Sequence, residues 1–192
     1  MMQIFFTLKE GLESYLKSGK KYDFPSPEIR RCHRCNKFVE FKKHGFYERY
    51  LVTTEYSGQI VIRRYICPIC GCTISYIPDV CMPGFVFSTE LIFQALYAYF
   101  KIISYSAKEL SRQLVKYYRA RLISKTTAIS ATLREILPHA RLPDKSLSIE
   151  EKTRMVLLLI KSSKININDI SHRFYDISGK AILQKNSLYN SI

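Results

Sequence analysis

The sequence predicts an α+β protein in which a small antiparallel sheet is followed by an all-α region. Three observations support this prediction. Two Cys-x-x-Cys pairs are present, Cys32 with Cys35 and Cys67 with Cys70. The stretch between the pairs is dense in Tyr, Val, Ile and Thr, which favour strands. After Pro83-Gly84 the apolar residues recur with a helical period instead of alternating.

The two cysteine pairs predict one closed site with four thiolate ligands. A two-residue spacing lets both thiolates of a pair turn toward one ion, and Gly71 after Cys70 supplies the permissive backbone of such a turn. A redox pair needs only one Cys-x-x-Cys beside a βαβ pattern, and catalytic zinc generally keeps one position open. We therefore assign one structural Zn²⁺, with the ligands Cys32, Cys35, Cys67 and Cys70.

Other candidate ligands near these pairs are left out of the metal set. His44 begins the predicted hairpin beside Gly45, where a turn or edge role suits it. Cys72 follows Cys70 in a Cys-x-Cys spacing that is less common in metal-binding turns. Cys81 is expected to be a small buried residue.

The charge distribution indicates a polyanionic partner. The chain has 192 residues and a formal net charge of +14. Residues 30–66 hold nine basic and three acidic side chains, and residues 101–141 hold nine basic and two acidic ones. The excess is therefore concentrated in two stretches, as expected of surfaces that meet nucleic acid.

Nothing in the sequence predicts secretion or membrane insertion. Residues 1–8 are apolar, but no cleavage site follows them. The longest apolar runs, such as residues 155–160, are far below the roughly 18 to 20 residues that span a bilayer. A reducing compartment also suits cysteines reserved for a metal. We expect a cytoplasmic, nucleoid-associated protein.

Residues 1–29 are predicted to form an N-terminal helix and a connector. A helix over residues 7–18 would place Leu8, Leu12, Tyr15 and Leu16 on one side. Residues 20–27 contain two prolines and several polar residues, which is typical of a linker.

Residues 30–83 are predicted to form a zinc ribbon. Residues 46–56 and 59–66 are expected to form a hairpin with its turn at Ser57-Gly58, and residues 74–76 add a short third strand. Alternation places Arg49 and Arg63 on the face opposite Tyr50 and Ile62, which predicts a basic face for phosphate contacts. The alternative is a solvated outer face that covers a small core.

Residues 86–140 are predicted to form a three-helix, helix-turn-helix-like domain. Ser88 caps the first helix, the capping box Ser106-Ala107-Lys108-Glu109 opens the second, and Ser124 caps the third. The third helix would face a major groove with its outward side chains. The linking residues 116–123 are longer than the usual turn and lack its glycine, so a plain helical interaction domain is the alternative.

Residues 148–192 are predicted to form a helical segment with a possible second helix-turn-helix. The capping box Ser148-Ile149-Glu150-Glu151 starts a helix that runs to about Lys161. The pattern of a helix-turn-helix is then repeated by a further helix over residues 167–174, a break at Asp176-Ile177 and a new cap at Ser178. The apolar positions of residues 155–160 surround the helix, which indicates burial or self-association.

Four features of the sequence carry a resemblance to a known family. They are the cysteine pairs, the segment His44-Gly45-Phe46-Tyr47-Glu48-Arg49-Tyr50, the segment Ile62-Arg63-Arg64-Tyr65-Ile66-Cys67-Pro68-Ile69-Cys70-Gly71, and the prolines Pro78 and Pro83. Over residues 30–140 the chain resembles the zinc ribbon of bacterial mobile-element proteins. These are transposase-like proteins, and relatives of unknown function, that place such a ribbon before helix-turn-helix segments. The resemblance implies DNA binding, with zinc carried by the four cysteines.

Complete transposases of this type also carry a long catalytic domain with three carboxylates that hold Mg²⁺. No stretch of that size follows in this sequence. We therefore expect a non-catalytic DNA-binding protein, an accessory or regulatory product of a mobile element or a truncated transposase. Its partners would be double-stranded DNA and a transposase or a second copy of itself.

Twelve residues are the predicted DNA contacts. They are Arg30, Arg31, Arg34, Arg49, Arg63, Arg112, Arg121, Lys125, Thr126, Thr127, Ser130 and Arg134. Two alternative functions remain open from the sequence. One is a zinc-ribbon adaptor that binds protein or RNA, and the other is a compact nuclease or recombinase with candidate carboxylates at Asp144, Glu150 and Glu151.

Overall fold

The computed structural model describes residues 2–105, 108–144 and 146–184. It divides into two compact units, Met1–Cys81 and Met82–Ile192. The first contains a mixed sheet of four strands, and the described part of the second contains four helices. The predicted α+β class is confirmed.

The sheet has the strand order β1-β4-β3-β2. The strands are β1 Met2–Phe6, β2 Lys42–Val52, β3 Ser57–Ile66 and β4 Thr73–Pro78. The pairs β2–β3 and β3–β4 are antiparallel, as predicted, but β1 pairs with β4 in parallel. The prediction missed β1, because its pairing partner lies about seventy residues further along the chain and no local pattern announces it.

The segment after β1 packs against the sheet. Helix α1 spans Gly11–Ser18 and is followed by a 3-10 turn at Gly19–Lys21. Five rings form one cluster with centroid separations of 4.9 to 6.1 Å. They are Phe6, Tyr15, Tyr22, Phe24 and Phe46. The predicted connector therefore supplies part of the core of the first unit.

The hairpin turn between β2 and β3 lies at Thr53–Tyr56 rather than at the predicted Ser57-Gly58. The amide of Thr53 donates to the Tyr56 carbonyl at 2.7 Å, and Thr53 Oγ1 accepts the amides of Glu55 and Tyr56. Gly58 lies inside β3, where a Cβ would be 2.6 Å from the hydroxyl oxygen of Tyr56. A side chain at this position would displace the end of the Tyr56 side chain, so glycine here relates to packing and not to a turn.

The second unit contains α2 Thr89–Tyr99, α3 Arg112–Ile136, α4 Ile149–Ser162 and α5 Ile167–Ser178. Helix α3 contacts each of the other three. The predicted caps Ser88 and Ser148 are confirmed, since their hydroxyls accept the amides of Leu91 and Glu151. The capping box of α4 is complete, with Glu151 accepting the amide of Ser148.

The predicted helix-turn-helix boundary is wrong, because α3 runs without a break through residues 116–123. No Gly or Pro interrupts it. The N-cap is Ser111, and Ser124 lies inside the helix and donates to the Arg121 carbonyl at 2.7 Å. The buried residues Tyr118, Leu122, Ile129 and Leu133 form one continuous helical stripe. Ser106 and Ala107, the start of the predicted second helix, lie outside the described residues.

The predicted break at Asp176-Ile177 is also absent, since both residues lie within α5. Gly179 ends the helix with a left-handed φ of 66°. The hydroxyl of Ser178 donates to the Phe174 carbonyl and accepts the amide of Lys180, so it closes this helix and caps no new one. No described helix is both long and apolar enough to cross a membrane.

Candidate metal centre

The four predicted ligands meet in the first unit. Cys32 Sγ lies 3.6 Å from Cys70 Sγ, and Cys35 Sγ lies 3.9 Å from Cys67 Sγ. All four sulfurs lie within 4.8 Å of one another. A tetrahedral ion with metal–sulfur bonds of about 2.3 Å requires sulfur–sulfur separations of about 3.8 Å. The cluster therefore fits one metal ion, whereas a disulfide would bring two sulfurs to about 2.05 Å.

Backbone hydrogen bonds shape the turn that holds the first pair. The amide of Cys32 donates to the Lys37 carbonyl at 3.0 Å, and the amide of Asn36 donates to the Cys32 carbonyl at 2.8 Å. An isolated bridge between Arg31 and Phe38 closes the turn. Asn36 has a left-handed φ of 57°, a conformation that Asn tolerates better than most residues. The role of Asn36 was not predicted, although it follows Cys35 as Gly71 follows Cys70.

The second pair is held by the same backbone pattern. The amide of Cys67 donates to the Cys72 carbonyl at 2.8 Å, and the amide of Gly71 donates to the Cys67 carbonyl at 3.0 Å. Gly71 has a φ of 70°, which confirms the predicted need for glycine. Because β3 ends at Ile66 and β4 begins at Thr73, the sheet fixes this turn at both ends.

The local electrostatics shift the pKa of Cys32 and that of Cys70 in opposite directions. The backbone amides of Cys35 and Arg34 lower the pKa of Cys32 to about 6, against the effect of burial. The amide of Cys72 also lowers the pKa of Cys70, but desolvation and the neighbouring sulfurs raise it to about 12. Four thiols this close together need a cation before all of them can ionise.

A second donor group overlaps the first. The donor atoms of Cys32, His33 and Cys72 also lie within 4.8 Å of one another, and His33 Nε2 is 3.2 Å from Cys72 Sγ. This group has only three donors and shares Cys32 with the first, so the four-cysteine set is the one that closes a tetrahedral shell. The contact between His33 and Cys72 was missed because the two lie on different turns.

Three of the predicted DNA contacts surround the first cysteine turn. Arg30, Arg31 and Arg34 are all exposed. Arg31 Nε donates to the Asn36 carbonyl at 3.2 Å, and its guanidinium carbon lies 5.6 Å from the centroid of the Phe38 ring. The metal-binding turn therefore holds a small cationic surface.

Arg49 and Arg63 do not share a face of the sheet. Arg49 is opposite Ile60 in the register, and Arg63 is opposite Phe46. Ile60 lies three residues before Arg63, an odd offset, so the two arginines project from opposite faces. Arg63 is partly buried, with its guanidinium carbon 4.4 Å from the centroid of the Phe46 ring. The predicted common basic face is therefore wrong.

The predicted contacts in α3 fall on different sides of the helix. Arg112, Thr127 and Arg134 are exposed, whereas Ser130 and Arg121 are half-buried. The guanidinium of Arg121 donates to the Tyr117 hydroxyl.

Lys125 and Thr126 are buried, with exposed fractions of 8% and 2%. They lie on the apolar stripe of the continuous helix. The hydroxyl of Thr126 is 2.6 Å from that of Thr153 in α4. Desolvation, with Lys180 and Arg121 nearby, lowers the pKa of Lys125. The prediction that these two residues face outward is wrong.

The carboxylates considered for nuclease chemistry serve local structure. Asp144 accepts the Ser146 amide at 2.8 Å, Glu151 belongs to the capping box, and Glu150 pairs with Arg119. Within the described ranges, each group of His, Cys, Asp or Glu that could hold a metal includes Cys32.

Comparisons of this chain with protein-family models, with curated proteins and with solved structures found no match.

Proposed function

We propose that this chain is a non-catalytic, zinc-dependent DNA-binding protein. Its biological role would be that of an accessory or regulatory product of a mobile element, or of a truncated transposase. The ion is Zn²⁺, because four thiolates in a tetrahedron are its usual structural ligand set. Four protein ligands leave no position open for water or a substrate, so the ion has a structural role.

The observation that carries the proposal is the charge on α3. The helix contains six basic residues and one acidic residue, Glu135, which pairs with Arg173. At about 100° per residue, the exposed side chains of Arg112, Lys116, Thr127 and Arg134 fall within an arc of about 60°. The 25 residues of the helix span about 37 Å, close to one turn of duplex DNA.

Binding is expected to depend mainly on phosphate contacts. The burial of Lys125 and Thr126 removes two of the twelve predicted DNA contacts, both from the helix predicted to face the major groove. The exposed arginines of the first cysteine turn, Arg30, Arg31 and Arg34, add a second set of phosphate ligands. The proposed activity is therefore salt-dependent duplex binding with weak sequence preference.

A salt titration with two charge-matched variants tests this function. Fluorescence anisotropy with a duplex of about 20 base pairs would be measured between about 50 and about 200 mM salt. The double variant Arg112→Gln/Lys116→Gln is expected to weaken binding and to reduce the log–log salt slope by about 1.8, since each phosphate contact contributes about 0.9. The control, Lys20→Gln/Lys21→Gln, removes the same charge from the exposed 3-10 turn and should leave both quantities unchanged.

Three results would contradict the proposal. Affinity for the duplex that does not change with ionic strength would exclude a phosphate-binding surface. An equal effect of the two double variants would show that only net charge matters and that α3 is not the contact. A protein partner recovered without any duplex binding would favour the adaptor alternative.

A further inference from the structure

A groove of about 1040 Å³ lies in the first unit beside the first cysteine turn. Its walls come from residues 26, 27, 29 and 30 and from residues 38–43, and Tyr65 also lines it. Tyr65 is buried and its hydroxyl donates to the Pro25 carbonyl at 2.8 Å, which fixes one wall to the sheet. The volume lies just above the range of about 300–1,000 Å³ for small-molecule sites, so it can accept more than one nucleotide.

The groove carries a positive charge. Arg30, Lys42 and Lys43 line it, and the single acidic residue of its lining is Glu40. All four side chains are exposed. A net charge of +2 beside mixed polar and apolar walls suits a ligand that combines anionic groups with flat apolar ones.

Phe38 places an aromatic ring in this groove. Its exposed fraction is 79%, the highest among the large apolar side chains described. The backbone beneath it is held on both sides, by the bridge to Arg31 and by the bond from the Val39 amide to the Arg30 carbonyl at 2.8 Å. The ring is therefore presented to solvent by a fixed backbone and is not carried on a free loop.

We propose that this groove binds a short unpaired segment of nucleic acid, with one base stacked on Phe38 and neighbouring phosphates held by Arg30, Lys42 and Lys43. An exposed ring between cationic side chains is the arrangement that binds single strands, since every unpaired base offers a flat face. In a duplex those faces are covered by neighbouring base pairs. The inference rests on the proposed function and deepens it, because it adds unpaired strands to the class of ligands.

The test compares three probes of equal length: oligo(dT), oligo(rU) and a blunt duplex. Phe38→Ala is expected to lower the affinity for the unpaired strands by at least about fivefold, the lower end of the effect of losing one base stack. Its affinity for the duplex should not change. Phe38→Trp keeps a stacking surface and should retain unpaired-strand binding. Tyr50→Ala, which removes an exposed ring of β2 outside the groove, should have no effect.

A metal content of one ion per chain in each variant would show that the first unit is folded. If Phe38→Ala leaves the affinity for unpaired strands unchanged, the proposed binding in the groove is wrong. It is also wrong if Phe38→Ala loses equal affinity for the duplex and for the unpaired strands. Wild-type protein that binds only the duplex would also overturn it and would leave the proposed function standing. Unpaired-strand binding without duplex binding would support the groove and contradict the proposed duplex binding. The comparison of oligo(dT) with oligo(rU) identifies whether the preferred polymer is DNA or RNA.

Discussion

Cys70 and Cys72 lie two positions apart, yet they differ in what their thiols can reach. Cys70 Sγ is 3.6 Å from Cys32 Sγ and belongs to the tetrahedral cluster. The thiol of Cys72 contacts His33, and the backbone carbonyl of Cys72 accepts the amide of Cys67. The backbone role of Cys72 does not depend on its side chain, so a serine can fill it.

Replacing each of these cysteines by serine should separate a ligand from its neighbour. Cys72→Ser is expected to retain one Zn²⁺ per chain, with a loss of affinity of no more than about 10- to 100-fold, the range for residues next to a ligand. Cys70→Ser removes a thiolate from the closed shell and should lose affinity by more than that range. Native mass spectrometry with chelator competition measures both. Loss of the metal from Cys72→Ser would instead assign the ion to the group of Cys32, His33 and Cys72.

Single residues also show what the sequence could and could not predict about the site. The four ligands were readable because Cys-x-x-Cys spacing is a local property of the chain. Lys125 and Thr126 were misplaced because their exposure depends on which face of α3 the other helices cover. The placement of Arg49 and Arg63 depended on the register of β2 and β3, which the turn sets.

Among the secondary-structure elements, α3 differs most from prediction, and two serines explain why. Ser124 precedes an apolar periodic stretch, as an N-cap does, but it lies inside the helix. The actual cap is Ser111, whose hydroxyl accepts the Leu114 amide at 3.2 Å. A serine before such a stretch cannot by itself be told from a serine within a longer helix, because both satisfy the same local pattern.

Alanine substitution of the two serines should have opposite effects on stability. Ser111→Ala removes the cap and is expected to lower the free energy of unfolding by about 1 kcal/mol. Ser124→Ala replaces an exposed interior residue with a better helix former, so stability should stay equal or rise by up to about 0.5 kcal/mol. Urea denaturation followed by circular dichroism measures both. If Ser124→Ala destabilises the protein as much as Ser111→Ala does, Ser124 acts as an N-cap and the predicted helix boundary before it is correct.

The strands show the same division between local and distant information. The pairing of β2 with β3 was predicted because both lie between the cysteine pairs and are joined by one short turn. The turn itself lies before Ser57-Gly58, where the Thr53 side chain accepts the amides of Glu55 and Tyr56. The strand β1 was not predicted because its partner, β4, is distant in the sequence and becomes adjacent only in the complete sheet.

At the scale of the whole molecule, the four-cysteine cluster joins a segment with little regular structure to the sheet. Between the 3-10 turn at Gly19–Lys21 and β2, the described chain forms no named strand or helix, and its bridge is the single pair Arg31 and Phe38. The four cysteines lie on both sides, two in this segment and two in the turn between β3 and β4, so an ion bound by them would tie the segment to the sheet. Metal binding is therefore expected to supply much of the order of this segment, including Phe38 and the groove.

Removing the metal should release this segment before the sheet. On treatment with a strong chelator, hydrogen exchange measured by mass spectrometry is expected to rise at least about tenfold in peptides that cover residues 30–41, because the thiolates that join these residues to the turn between β3 and β4 would lose their shared ion. Peptides from β3 should change less, since their amides pair with two neighbouring strands. Readdition of Zn²⁺ should restore the protection, and the same addition to Cys70→Ser should not. Equal exchange in residues 30–41 with and without the metal would show that the segment is held by its other contacts and that the ion does not organise the groove.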